Sequence, residues 1–301
     1  MQRFFRTRLG AFVLFLIFIV LSQLIEWGLG TLALRLHLVD ISDRTWRPSL
    51  FIAFEGVTAL AALGASFAIV AIGRRSMREL GYAGNGAGKL IVAGSALGAA
   101  APMLLIAAIV ALGGFTFGAF AMHGTQLAAY TLAWLVAMFG IGLAEELTFR
   151  GPAFLLLGET IGLWPAAIVA SAIFAALHYF GKPGENLADA LSVGLLGLFM
   201  AFTVIRTGSI WFAVGFHALF DDVALYVLGA PNSGNHAGEP LPTRLLTGGY
   251  HGPAWLTGGK LGIEASWLVF PIIALLFVGF HFATRGSRRR LPITPAEAAR
   301  A

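Results

Sequence analysis

The stretch GLAEELTFRG places Glu145, Glu146 and Arg150 together at the end of an otherwise apolar run. An ionisable group at the centre of a bilayer costs about 2.5–3.5 kcal/mol on insertion scales, so such groups usually face a bundle interior and mark sites. On a helix, Glu146 and Arg150 are four residues apart with the acid first, the favourable order for an ion pair. Glu145 is rotated about 100° away and need not share that partner. The spacing predicts a division of labour, with Glu146 neutralised by Arg150 and Glu145 left for chemistry. Two more polar foci interrupt apolar segments: FAALHYF, with Phe174 and His178 four apart, and FHALFDD, with His217 and Asp221 one turn apart. A single buried histidine is more often a satisfied core residue than a catalyst. Three polar foci in three apolar segments are harder to dismiss.

These residue types support two chemistries. In the first, Glu145 takes a proton from water as general base, His178 holds that water, and His217 donates a hydrogen bond to a developing oxyanion. In the second, His178, His217 and one or both of Glu145 and Asp221 ligate zinc, whose bound water is the nucleophile. Ligand types alone do not separate the two.

The segments that carry these residues read as membrane spans. The 301 residues are 58% hydrophobic and 12% charged, with a mean hydropathy of +0.82, against about 25% charged in a soluble globular chain. The 38 Gly, 25 Phe and 7 Trp agree, since glycine allows close helix approach and aromatic residues gather at membrane interfaces. There is no cysteine, which excludes disulfides, thiolate metal sites and a cysteine nucleophile. The net charge of +5 lies at the ends and in loops, a pattern of membrane orientation and not of nucleic-acid binding.

Apolar runs long enough to cross a hydrocarbon core of about 30 Å recur eight times: near 9–33, 50–72, 90–112, 127–157, 162–180, 189–206, 208–228 and 266–284. The fifth and sixth could be partly re-entrant. The expected architecture is therefore an all-α polytopic membrane protein, about eight transmembrane helices around a buried polar cavity, in one integral-membrane domain over residues 1–301. The first run is too long for a signal-peptide core and reads as an uncleaved helix, with Thr31 and Ala33 keeping a cleavable signal as a minor option. With the N-terminus inside, the inner segments carry fourteen Lys and Arg, from Arg3, Arg6 and Arg8 to the tail RGSRRR and Arg300, against Arg35, Arg44, Arg47, Lys182, Arg244 and Lys260 outside. That bias predicts both termini in the cytoplasm, and a plasma-membrane location if the chain is bacterial.

Counting a rise of about 1.5 Å per residue from cytoplasmic ends near 157, 162 and 208 puts Glu145 about 18 Å deep, His178 about 24 Å and His217 about 14 Å. All three could then meet in one wet cavity near mid-membrane. Glu55 and Glu26, also intramembrane acids, fall near the outer face, where helix-end solvation or packing explains them. His281, His236 and His251 have the bland reading of interfacial or solvated histidines. GNGAGKL at 84–90 fails as a phosphate loop because a glycine is missing and Leu90 stands where a magnesium-binding Ser or Thr would be. Gly94 and Gly98 form a GxxxG spacing that predicts close helix packing. The long loop at about 229–265 is turn-rich and expected to be irregular.

The series EELTFR, FAALH and HALFD is similar to the EExxxR, FxxxH and Hxxx(N/D) motifs of the CPBP family of intramembrane proteases, which includes the CAAX prenyl endopeptidases and bacterial Abi-type proteins. The resemblance covers about 125–230. It implies peptide-bond hydrolysis in the membrane on a membrane-associated peptide or protein, with Glu145 as the water-activating base, His178 as its partner, His217 and Asp221 on the oxyanion side, and Glu146 and Arg150 completing the first motif. It leaves open whether zinc or no metal is used. Position 221 is Asp where the CAAX endopeptidases carry Asn, and an ionised Asp cannot donate to an oxyanion, so Asp221 is either protonated, an orienter of His217, or a ligand.

There is no HExxH or GxGD, and GASF at 64–67 lacks the last glycine of GxSG. Two rival readings remain: a proton-coupled transporter, since buried Glu, His and Arg also build proton relays, and a catalytically inactive scaffold or immunity protein that binds a membrane peptide. No internal repeat supports the transporter, and retention of every motif position weighs against the inactive scaffold.

Overall fold

The computed structural model describes residues 3–39, 46–82, 86–182, 184–232 and 238–286. Within these the protein is all-α and polytopic. In lipid every backbone N–H and C=O must find a partner inside the protein, which a continuous helix supplies by itself. Arg8–Arg35 (α1), Pro48–Gly73 (α2), Ala87–Ala111 (α3), Leu163–Gly181 (α6) and Leu187–Thr207 (α7) are each long and apolar enough to cross a bilayer, as is the region Gly124–Ile161. Local signals set their ends. Thr7 caps α1 by accepting from the Gly10 N–H, Pro48 opens α2 at a position where its missing N–H costs nothing, and Asn186 caps α7 through the Asp189 N–H.

Three elements depart from the eight runs read in the sequence. The fourth run breaks into Gly124–Phe149 (α4) and Pro152–Ile161 (α5). The cause is Gly151–Pro152: proline has no N–H and its ring would clash one turn back, so it begins a new helix. Residues beyond 150 therefore do not extend α4, and the depth of Glu145 cannot be counted from residue 157; Glu145 lies one turn from the end of its own helix. The seventh run is shorter, Trp211–Asp221 (α8), and continues as a π-helical turn over Asp222–Val227. The eighth is Val269–Thr284 (α10), also short. The fifth and sixth runs are continuous helices, with no re-entrant break.

The GxxxG pair behaves as expected. A Cβ on Gly94 would collide with the Phe212 carbonyl and one on Gly98 with the Phe216 carbonyl, while Gly215 presents the same absence to the Ile91 carbonyl. α3 and α8 thus lie backbone to backbone and parallel. This contact matters for the site because it fixes the helix that carries His217.

One end of the bundle gathers the N-terminal segment, the 74–82 loop, α5, the α7–α8 turn and the end of α10. Arg75 binds Glu159 at 2.6 Å and the Phe5 carbonyl at 2.8 Å, the Ile210 N–H donates to the Gly81 carbonyl, and Arg206 donates to Thr284. The opposite end is closed by the long loop. It is less irregular than its composition suggests: Gly249–Tyr250 (β2) pairs antiparallel with Phe115–Thr116 (β1), and Ala254–Thr257 (α9) follows. His251 shares a 2.9 Å hydrogen bond with Thr116 there. His236, Arg44 and the basic tail beyond Gly286 lie outside the described residues.

Candidate active site

The break after α4 leaves its last turn facing α7 and α8, and this turn holds the EExxxR residues. Glu146 is fully buried and Arg150 is 1% exposed. Arg150 donates from its guanidinium to Glu146 Oε1 at 2.9 Å, one turn along the helix. The same guanidinium lies over the Phe174 ring, 4.4 Å from its centroid, a cation–π contact strengthened by the dry surroundings. Gly197 of α7 makes the space: a Cβ there would fall 2.6 Å from an Arg150 nitrogen.

Glu146 has a second partner that the spacing did not foretell. Its Oε1 also takes a 2.9 Å hydrogen bond from His217 Nδ1 on α8. A carboxylate only accepts, so Nδ1 carries the proton. The Nε2 atom is turned toward Glu145 Oε2 and Asp221 Oδ2, each at 3.6 Å, beyond hydrogen-bond length. Glu145 Oε2 has no hydrogen-bond partner within the protein. The adjacent carboxylates therefore have different surroundings: Glu146 is held by a cation and an imidazole, and Glu145 faces open space.

That space is a cavity of about 250 Å³ lined by Glu145, His178, His217 and Asp221 together with Phe174. His178, near the end of α6, donates from Nδ1 to its own Phe174 carbonyl at 2.9 Å, which leaves its Nε2 as the free ring atom. Phe174 packs against both histidines, 4.4 Å from the ring of His178 and 6.4 Å from that of His217. The two histidines and Arg150 thus meet on one phenyl ring. The six motif residues come together from α4, α6 and α8: four on the cavity wall, and Glu146 and Arg150 behind it.

Among the described residues, no group of three or more His, Asp and Glu side chains is arranged to hold a metal ion. His217 Nδ1 donates to Glu146, which leaves Nε2 as the ring atom turned to the cavity.

Residues 126–223, from α4 to the start of the π-helical turn, match the family model described as Type II CAAX prenyl endopeptidase Rce1-like. This stretch is similar to the core of the CAAX-type proteases. No curated protein and no solved structure matches the chain. The family supports intramembrane CAAX-type proteolysis as the general activity of the core, and membrane-associated proteins or peptides as its substrates.

The cavity wall is completed by residues from outside the matched stretch. Glu55 of α2, Trp46, Asn232 and Glu264 also line the cavity, as does Lys182 just past α6. Glu55 was expected to be explained by helix-end solvation or packing; it lies on the wall because the cavity itself extends toward that end of the bundle. Its one sequence signal was the lone acid in FIAFEGV, and depth alone misjudged it. Glu26, by contrast, is a packing residue, accepting from Thr58 across α1 and α2 at 2.8 Å. Glu264, in the long loop, has its carboxyl raised above the usual range by burial. No local pattern in that loop announced it.

Proposed function

We propose that this chain is an intramembrane endopeptidase that cleaves membrane-associated proteins or peptides with water activated by Glu145. The observation that carries the reading is the contrast between the two carboxylates: Glu146 Oε1 is occupied by Arg150 and His217, while Glu145 faces the cavity 3.6 Å from His217 Nε2. Glu145 takes a proton from water, and the oxygen attacks the carbonyl carbon of the scissile bond. His178 Nε2 accepts the other hydrogen of the water and orients it. The electron pair displaced from the carbonyl becomes an oxyanion, which His217 as imidazolium meets with Nε2–H. Collapse of this intermediate breaks the C–N bond, and Glu145 returns its proton to the leaving amine.

Glu146 and Arg150 act as positioning residues. Glu146 fixes the ring plane of His217, and Arg150 neutralises Glu146. Asp221, one turn beyond His217, is a charge partner that orients the same ring, which accounts for Asp at a position where a donor would otherwise be expected. Apolar side chains such as Ile141 and Phe216 complete the cavity wall and limit competing water.

The test is hydrolysis of membrane-anchored peptides by the purified protein in lipid. Glu145→Gln keeps the size and polarity of the side chain and removes the base, so cleavage should fall by roughly 10²–10⁴-fold with the fold retained. Cleavage at the native rate in that variant would end the assignment. Undiminished turnover after treatment with strong chelators is expected on the same reading, and loss restored by added zinc would overturn the metal-free step.

A further inference from the structure

In a membrane helix a buried serine usually returns its hydroxyl to a carbonyl of its own helix, because no bulk water is there to take it. Ser22, Ser66 and Ser192 do so, donating to the carbonyls of Ile19, Ala62 and Asp189 at 2.9, 2.6 and 2.8 Å. Ser171 of α6 does not. It is 4% exposed, and its Oγ has no hydrogen-bond partner among the described residues. A buried donor close by is in the same condition: Arg150 spends Nη1 on Glu146, while its Nη2 has no partner among the described residues.

Both atoms face one notch. A Cβ on Gly197 of α7 would lie 2.6 Å from Arg150 Nη2 and 3.6 Å from Ser171 Oγ, with the edge of the Phe174 ring 3.4 Å away. Close packing of α6 on α7 calls only for a small side chain, and Ala175 meets that need opposite Gly194. An alanine at 171 would pack as well without the cost of burying an unpaired hydroxyl. A buried water takes about two to four polar partners, and the notch offers it a guanidinium N–H and a hydroxyl.

Resting on the proteolytic reading above, we propose that Ser171 is a positioning residue for the hydrolysis, holding Arg150 through one water bound in the Gly197 notch. The water accepts from Nη2–H and shares a hydrogen bond with Ser171 Oγ. With Nη2 tied to α6 and Nη1 to Glu146, the guanidinium has one orientation. The Glu146 carboxylate, which accepts from His217 Nδ1, then keeps its place. The hydroxyl reaches the oxyanion only through Arg150, Glu146 and His217, and it touches no substrate. Its contribution falls in the transition state, so its loss lowers kcat and leaves KM.

Ser171→Ala should lower kcat about 3- to 10-fold, the effect of one hydrogen bond, with KM and the thermal midpoint unchanged. Native kcat, or a midpoint that falls in step with kcat, overturns the proposal. Arg150→Lys keeps the charge and lacks Nη2, so adding Ser171→Ala to it should cost nothing more. The same fall in both backgrounds overturns the proposal as well. A readout free of turnover is the Nδ1–H magnetic resonance signal of His217 in protein carrying isotope-labelled histidine, assigned by its loss in His217→Gln. Ser171→Ala should shift this signal, and Ser22→Ala, at a buried serine of α1 satisfied by its own helix, should not. An unmoved signal in Ser171→Ala overturns the proposal. A native chain that cleaves nothing would sink the protease reading alone, and the His217 signal would then decide the link between Ser171 and Arg150 by itself.

Discussion

Two clusters of charge lie near the α4–α5 break, and they are built on different plans. At the terminal end, Arg75 is gripped by both oxygens of Glu159, at 2.6 and 2.8 Å, and also reaches Glu79, while Glu79 is taken by Arg6 and Ser76. Acids and bases alternate and satisfy one another, tying the N-terminal segment to α2 and α5. In the cavity, one arginine serves one carboxylate, and Glu145, Asp221, Glu55 and Glu264 are left to face a shared space. Charges that only hold a fold are paired with their opposites. An arrangement that leaves acids directed at a cavity sacrifices stability there, and such an excess is what a water-activating site requires.

The sharpest way to break this comparison is to exchange the roles. Glu145→Gln should abolish nearly all cleavage, about 10²–10⁴-fold, with little change in thermal midpoint, because Glu145 Oε2 has no hydrogen-bond partner to lose. An equal loss of stability would move Glu145 into the structural class. Arg150→Ala should do the converse at first hand: removing one member of a buried pair costs about 3–5 kcal/mol, visible as a lowered midpoint in detergent or lipid. A normal midpoint would mean that Glu146 is not held as described. Glu146→Gln should fall between the two, with activity reduced more than stability and a shifted pH profile, since the acceptor of His217 Nδ1–H loses its negative charge.

At the terminal end the effects should be smaller and confined to stability. Arg75→Ala removes charge-assisted hydrogen bonds worth about 1.5–3 kcal/mol each at most and should leave cleavage by the folded fraction unchanged. The smallest effect is that of pH at Glu79. Burial alone would raise this carboxyl, but the hydrogen bond and charge of Arg6 outweigh it and hold it below the ordinary range. A depressed folded value means that the stabilisation is present above the ordinary glutamate range, near 4.3, and is lost as the pH falls through the folded value. Thermal midpoints measured down an acid series should therefore drop less in Glu79→Gln than in the native chain.

The separate environments of the two glutamates show how far local spacing reaches. That Glu146 pairs with Arg150 follows from four residues of helix, because a helix brings such positions together whatever surrounds it. That Glu146 also holds His217 does not, since the two are joined only when α8 is set against α3 through Gly94, Gly98 and Gly215. The Gly–Pro step at 151–152 was present in the sequence, yet an apolar run continues across it, and hydropathy does not register a change in helix direction. Glu55 and Glu264 show the same limit at longer range: each is one acid in a segment with no motif, assigned to the cavity only by the packing of α2 and the loop around it.

The sequence by itself determined the membrane class, the helical backbone and the residues able to do chemistry, because burial in lipid and helical periodicity are short-range constraints written into composition and spacing. The tertiary structure decided which nitrogen of each histidine is free, which carboxylate faces the cavity, and which outlying acids line it. Those outcomes depend on distances between helices remote in the chain, which no local pattern can fix.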